Sequence, residues 1–126
     1  MLKIILVLLG GAVGTGGRYL VSLLVYSLVE RPNFPYATLI VNITGSFAIG
    51  FLSYLFDAKN VAAELRAALL VGVLGGYTTF SSFSMETLNL IRDGGWGPGL
   101  LYSVGSLIAG LIAVALGAKL AQALFL

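Results

Sequence analysis

The chain has 126 residues, of which 59% are hydrophobic and 10% charged, where a soluble domain carries about 25% charged residues. It has no cysteine and no histidine, so a disulfide framework, thiolate or imidazole metal ligation and a histidine-based catalytic triad are excluded. A net charge of +2 is too small for a nucleic-acid surface, and a mean hydropathy of +1.03 marks an integral membrane protein.

A bilayer core of about 30 Å requires about 20 mostly apolar residues per helix, and four stretches meet that length. The first is expected from about Lys3 to Val29, ended by Glu30-Arg31-Pro32. Its start resembles a short signal peptide, but the apolar character continues past any small-residue cleavage site to Val25, so the segment is expected to stay. The second runs from about Tyr36 to Phe56, between Pro35 and Asp57-Ala58-Lys59-Asn60. The third covers roughly Val61 to Ile91 and stops at Arg92-Asp93-Gly94-Gly95; the fourth begins near Trp96, an interface residue, and runs nearly to Leu126. Three short loops join the spans and leave no room for a soluble domain, so residues 1–126 read as one four-helix membrane domain.

Four spans put both termini and the second loop on one side of the membrane. That side carries Lys3, Lys59, Arg66 and Lys119, against Arg31, Arg92 and the deeper Arg18 on the other. Lys/Arg bias normally sets orientation, and here it is almost absent. Either the chain inserts both ways and pairs antiparallel with itself, or a weak bias or a partner decides. Small residues predict close helix contacts at Gly10, Gly14 and Gly17, at Gly45, Ser46 and Gly50, and at Gly105, Gly110 and Gly117.

The third span is unlike a lipid-facing helix. From Thr78 to Thr87, seven of ten residues are polar, and Gly75-Gly76 with Thr78-Thr79 predict a helix break near Gly75 to Thr79. Irregular backbone at membrane depth is tolerated only where it is buried in protein or lines a polar cavity. Discontinuous helices of this kind set freed carbonyls around cations and helix N-termini near anions. Hydroxyls that merely bond back to their own helix carbonyls would account for one or two of these residues; six hydroxyls in ten residues favour a pathway. Phe80 and Phe83 share a face by spacing, and a phenyl edge is partly positive, so it can face an anion. The second span adds a polar stripe of Thr38, Asn42, Ser46 and Gly50, in which the Asn42 amide brings two donors and an acceptor. The fourth span adds Tyr102, Ser106 and Gly110, with Ser103 beside them. Arg18 and Glu86 are the ionisable residues well inside the spans, both toward span ends. With no carboxylate evident at mid-depth, a passive pathway fits better than a proton-coupled carrier.

Taken together, three motifs resemble the Fluc (CrcB) family of bacterial fluoride channels over the whole chain. They are Gly10-Gly11-Ala12-Val13-Gly14 with Arg18-Tyr19, Thr38 to Phe47 around Asn42, and Gly75-Gly76-Tyr77-Thr78-Thr79-Phe80-Ser81-Ser82-Phe83-Ser84-Met85-Glu86. Ala37 stands where the family commonly has glycine, Ser82 where it usually has threonine, and Gly110 replaces a hydroxyl found in some relatives. The resemblance implies an all-α membrane protein with a broken third helix, assembled as a dual-topology antiparallel homodimer in a bacterial or archaeal cytoplasmic (inner) membrane. It implies a fluoride pathway lined by Asn42, Phe80, Phe83, Tyr102 and Ser106, and a vestibule near Arg18. It further implies a structural sodium ion at the dimer centre, held by the backbone carbonyls of Gly75 and Thr78. Partners are then fluoride, a second copy of the chain and the bilayer, with no enzymatic activity. A four-helix multidrug/proton antiporter is the main alternative, though it needs an embedded glutamate, typically in the first span, which has none. A structural subunit that only holds partner helices is the other.

Overall fold

Long apolar runs leave the backbone no partner in lipid except itself, so each run closes its own hydrogen bonds as a helix. In the computed structural model, which describes residues 1–30 and 33–125, four helical spans are long and apolar enough to cross a membrane. Arg31 and Pro32, used above to end the first span, and the terminal Leu126 lie outside the described residues. Helix α1 is Leu2–Leu28 and α2 is Tyr36–Ala58. The third span is assembled from pieces: α3 Ala63–Arg66, a π-helical stretch Ala67–Val73, α4 Leu74–Tyr77 and α5 Phe80–Gly94. The fourth span is α6, Trp96–Phe125. No strand occurs among the described residues, and the chain is an all-α, multi-pass membrane protein.

The connections are short and have local causes. Between α2 and α3 the chain turns through Asn60, whose φ of 49° lies in the left-handed region that asparagine tolerates. The Arg66 guanidinium pairs with the Asp57 carboxylate across that turn. A single residue, Gly95, separates α5 from α6; its φ of 85° is strained for any side chain, and its N–H donates to the Ile91 carbonyl at 2.9 Å.

Packing is pairwise. α2 lies mainly against α6, and α1 against the π-helical stretch and α4. Beyond the break the third span changes neighbour: α5 packs on α6. The break therefore redirects the chain from one helix pair to the other, which brings its ends between them.

The α1 seam is backbone on backbone. A Cβ at Gly14 would fall on the Val73 carbonyl and one at Gly10 on the Ala68 carbonyl. Close approach of this kind is what small residues permit in lipid. At the α2–α6 seam, Gly50 abuts Val114 and Gly117 abuts the Phe47 carbonyl. The expectation for three of the other small residues is corrected. A Cβ at Gly105 meets nothing within 4 Å, and one at Gly17 or Gly110 meets only a side-chain atom, at 3.7 Å and 3.5 Å. Gly105 lies off the two seams, and Gly17 and Gly110 face them with room to spare, so recurrence of small residues overstated how many make close backbone contacts within the chain.

Candidate functional site

The site begins with an accounting of backbone groups at the break. α4 ends at Tyr77, and Thr78 (φ −81°, ψ 160°) and Thr79 (φ −149°, ψ 124°) are extended. A helix end orphans several N–H and C=O groups, and each one left unpaired in hydrocarbon costs several kcal/mol. Thr78 returns to α4, its N–H and Oγ1 both donating to the Leu74 carbonyl at 3.0 Å and 2.9 Å. Thr79 turns instead to α2. Its N–H donates to Asn42 Oδ1 at 2.9 Å, and its carbonyl accepts from Asn42 Nδ2 at 3.0 Å. The Asn42 amide thus pairs with residue 79 at both its N–H and its C=O, as a neighbouring strand would. Thr79 also caps α5: its Oγ1 accepts from the Ser82 N–H at 3.2 Å and donates to Ser82 Oγ at 3.1 Å, a usual N-cap role for threonine.

Beside this clamp is a cavity of about 400 Å³. Asn42 and Ser46 of α2, Thr79, Phe80 and Phe83 of the third span, and Ser106 of α6 are among its lining residues, together with Gly75 and Thr78. The Phe80 and Phe83 rings are 5.7 Å apart and tilted by 37°. Phe80 is 79% exposed, so the cavity wall it forms is unfinished within one chain. Ser106 Oγ is buried without a hydrogen-bond partner, an uncommon state for a hydroxyl. Asn42 Nδ2 donates one of its two hydrogens to Thr79, which leaves the second unspent.

A second cavity, of about 640 Å³, is lined by Tyr26, Asn33, Phe34, Glu86, Asn89 and Asp93, among others. The Glu86 carboxylate accepts from Thr38 Oγ1 at 2.7 Å and from the Tyr102 hydroxyl at 2.8 Å. Tyr102 is 1% exposed. Its ring lies 5.4 Å from Phe83, a liner of the first cavity, and 5.4 Å edge-on from Phe34, a liner of the second. Tyr102 therefore stands between the two cavities. No group of three or more carboxylates that could hold a metal occurs among the described residues. A cation at the break would take neutral oxygen, from backbone carbonyls or from side-chain hydroxyls and amides.

Residues 5–118 match the family model described as "CrcB-like protein, Camphor Resistance (CrcB)". Among similar curated proteins, one from Agrobacterium fabrum is 46% identical over 99% of this chain and 100% of its own length. One from Thermus thermophilus is 47% identical over 98% of each chain, and one from Opitutus terrae is 50% identical over 86% of this chain and 84% of its own. All three are named "Fluoride-specific ion channel FluC". The chain belongs to the CrcB family.

In this CrcB-family chain, six of the residues singled out from sequence meet at one cavity: Asn42, Gly75, Thr78, Phe80, Phe83 and Ser106. Tyr102 is outside that lining and is tied to Glu86 instead. Arg18, half-buried on α1, lines neither cavity. The hydroxyl cluster divides. Thr78, Ser84 and Thr87 do bond back to carbonyls four residues earlier, at 2.8–2.9 Å, so the local explanation covers more of the cluster than its density suggested. Thr79 and Ser82 carry the cap. The stripe on α2 divides too, with Thr38 on Glu86, Asn42 on Thr79, Ser46 at the cavity and Gly50 against α6. Sequence reasoning missed the Thr38–Glu86–Tyr102 cluster and the cap at Thr79. A Thr-x-x-Ser pattern directly after the predicted break was the available signal for the cap.

Proposed function

We propose that the chain is a fluoride-selective channel through which fluoride leaves the cytoplasm passively, lowering its toxicity. The observation that carries this reading is a cavity at membrane depth that presents unspent hydrogen-bond donors. These are the Ser106 hydroxyl and the second Asn42 amide hydrogen, beside the Phe80 and Phe83 rings. The fluoride-channel names of relatives 46–50% identical to the chain support the same reading.

Fluoride is small and strongly hydrated, so entering a narrow path costs it its water. Amide and hydroxyl donors with partly positive phenyl edges replace that water without a full positive charge that would trap the ion. Conduction needs binding favourable enough for entry and weak enough for exit. Chloride is larger and is rejected by pore width and donor spacing. In the cell, fluoride arrives as HF, dissociates at neutral pH and leaves down its electrochemical gradient.

The same reading includes an antiparallel homodimer in a bacterial or archaeal cytoplasmic membrane. It is supported by the near-even Lys/Arg balance and by Phe80, exposed at the cavity and suited to cover by a second copy. A sodium ion held by the Gly75 and Thr78 carbonyls belongs to it as well. These residues fit the ion: the N–H groups four residues on, of Thr79 and Ser82, bond to side chains, so neither carbonyl has its helical partner. Hard backbone oxygens suit such a cation, and its charge would favour anions nearby.

The test is efflux from liposomes loaded with fluoride or chloride salt, followed by ion electrodes after a potassium ionophore is added. Fast fluoride release with no chloride release is expected. No fluoride release from folded protein would move the weight to a drug carrier or a structural subunit. Ser106→Ala separates pathway from packing. Its hydroxyl has no partner to lose, so the melting transition should shift by no more than about 0.5 kcal/mol. Fluoride efflux should nevertheless fall about tenfold, the worth of one hydrogen bond to an ion.

A further inference from the structure

Two side chains at the break capture N–H groups that a continuous helix would spend on its own carbonyls. In a helix, the Thr79 N–H would close on Gly75 and the Ser82 N–H on Thr78. Here Asn42 Oδ1 holds the first at 2.9 Å and Thr79 Oγ1 holds the second at 3.2 Å. The two interceptions come from different places: Asn42 reaches across from α2, 37 residues away, while Thr79 acts within its own turn. Among the described residues no other backbone N–H outside the helices takes up the Gly75 or Thr78 carbonyl.

We infer that Asn42 and Thr79 are positioning residues for a cation at the break, each keeping one carbonyl free by occupying that carbonyl's competing donor. This rests on the proposed sodium ion and extends it to residues that do not touch the ion. It has a consequence for the pathway. Asn42 lines the cavity and keeps one amide hydrogen unspent, while its Oδ1 holds the Thr79 N–H away from Gly75. One side chain thereby links the anion path to the cation site, and the two halves are separable by substitution. Asn42→Asp keeps an oxygen to accept the Thr79 N–H and removes the donors. Asn42→Leu removes both. Thr79→Val removes the interception of Ser82 with little change of shape, and the extended backbone at residue 79 suits a β-branched residue. Thr79→Ser keeps the hydroxyl.

The experiment is thermal unfolding of each purified variant in detergent at pH 8. Sodium chloride is titrated against N-methylglucamine chloride at constant ionic strength, because an ion that binds only the folded state raises the midpoint with concentration. The wild-type midpoint should rise with sodium. In Thr79→Val and Asn42→Leu the sodium concentration for half the rise should increase about tenfold or more, one hydrogen bond's worth of competition. In Thr79→Ser it should stay within about twofold of wild type, and in Asn42→Asp it should not increase, because the accepting oxygen is kept and the added negative charge favours a cation. A sodium response of Thr79→Val equal to wild type, or no response in wild type, overturns the inference. Should Asn42→Leu not fold, the Thr79 pair decides. Fluoride efflux from the same preparations is read separately: a wild type that responds to sodium but conducts no fluoride removes the channel reading and leaves this one standing.

Discussion

Asn42→Asp is expected to reduce fluoride efflux from liposomes at pH 8 by at least about a hundredfold, a loss of about 2.7 kcal/mol in the barrier. The substitution exchanges the cavity's amide donor for an acceptor of nearly the same shape. Two like charges 4 Å apart repel by about 4 kcal/mol at an effective dielectric of 20, more than enough for the expected loss. The Thr79 carbonyl also loses the hydrogen it accepts from Nδ2 at 3.0 Å, so some thermal stability should go too. A fluoride electrode trace from proteoliposomes, matched for incorporated protein, is the measurement. Flux within twofold of wild type would remove Asn42 from the pathway and weaken the channel reading itself.

The second large effect falls on folding. Gly14→Ala should destabilise the protein by about 3 kcal/mol or more, at the upper end of overpacking costs. The new methyl would occupy the place of the Val73 carbonyl and sit 2.8 Å from the Tyr77 N. Neither neighbour is a flexible side chain that can swing aside. Both belong to the backbone that leads into the break, so relief would require α1 to move away from the third span. Gly105→Ala is the matched control, since its Cβ meets nothing within 4 Å; there alanine should stabilise the helix by about 0.5–1 kcal/mol. Thermal unfolding of both variants in detergent, with the monodisperse yield after purification, tests the pair. Equal stability of the two would mean that the α1 seam is looser than its backbone contacts indicate.

Glycine illustrates how far a single sequence reaches. Small residues recur on all three helices that they were read on, yet only some of them sit where two backbones touch. Gly10, Gly14, Gly50 and Gly117 do; Gly105 does not. A lone helix carries no record of which of its small faces meets a neighbour. The π-helical stretch Ala67–Val73 was illegible for a related reason. Its composition is that of any apolar helix, and its wide turns lie where Gly10 comes close to the backbone at Ala68 and Val73.

The hydroxyls show the same overcount. Their density in Thr78–Thr87 favoured a pathway over local bonding, but half of them satisfy themselves locally. Glu86 was legible only as an ionisable residue late in a span. Its partners, Thr38 and Tyr102, are 48 and 16 residues away in the chain, and each had been read as part of a different stripe.

What the sequence by itself determined was the membrane class, the four spans and the place where the third one fails. These follow from local quantities: apolar length against bilayer thickness, and glycine, threonine and serine clustered where helix propagation is poor. Tertiary structure decided which polar group answers which. The Asn42 amide pairs with the main chain of Thr79, and the Glu86 carboxylate takes Thr38 and Tyr102. Away from water, a buried polar group must find its partner in the protein, and that partner is selected by distance in space between helices rather than by position along the chain.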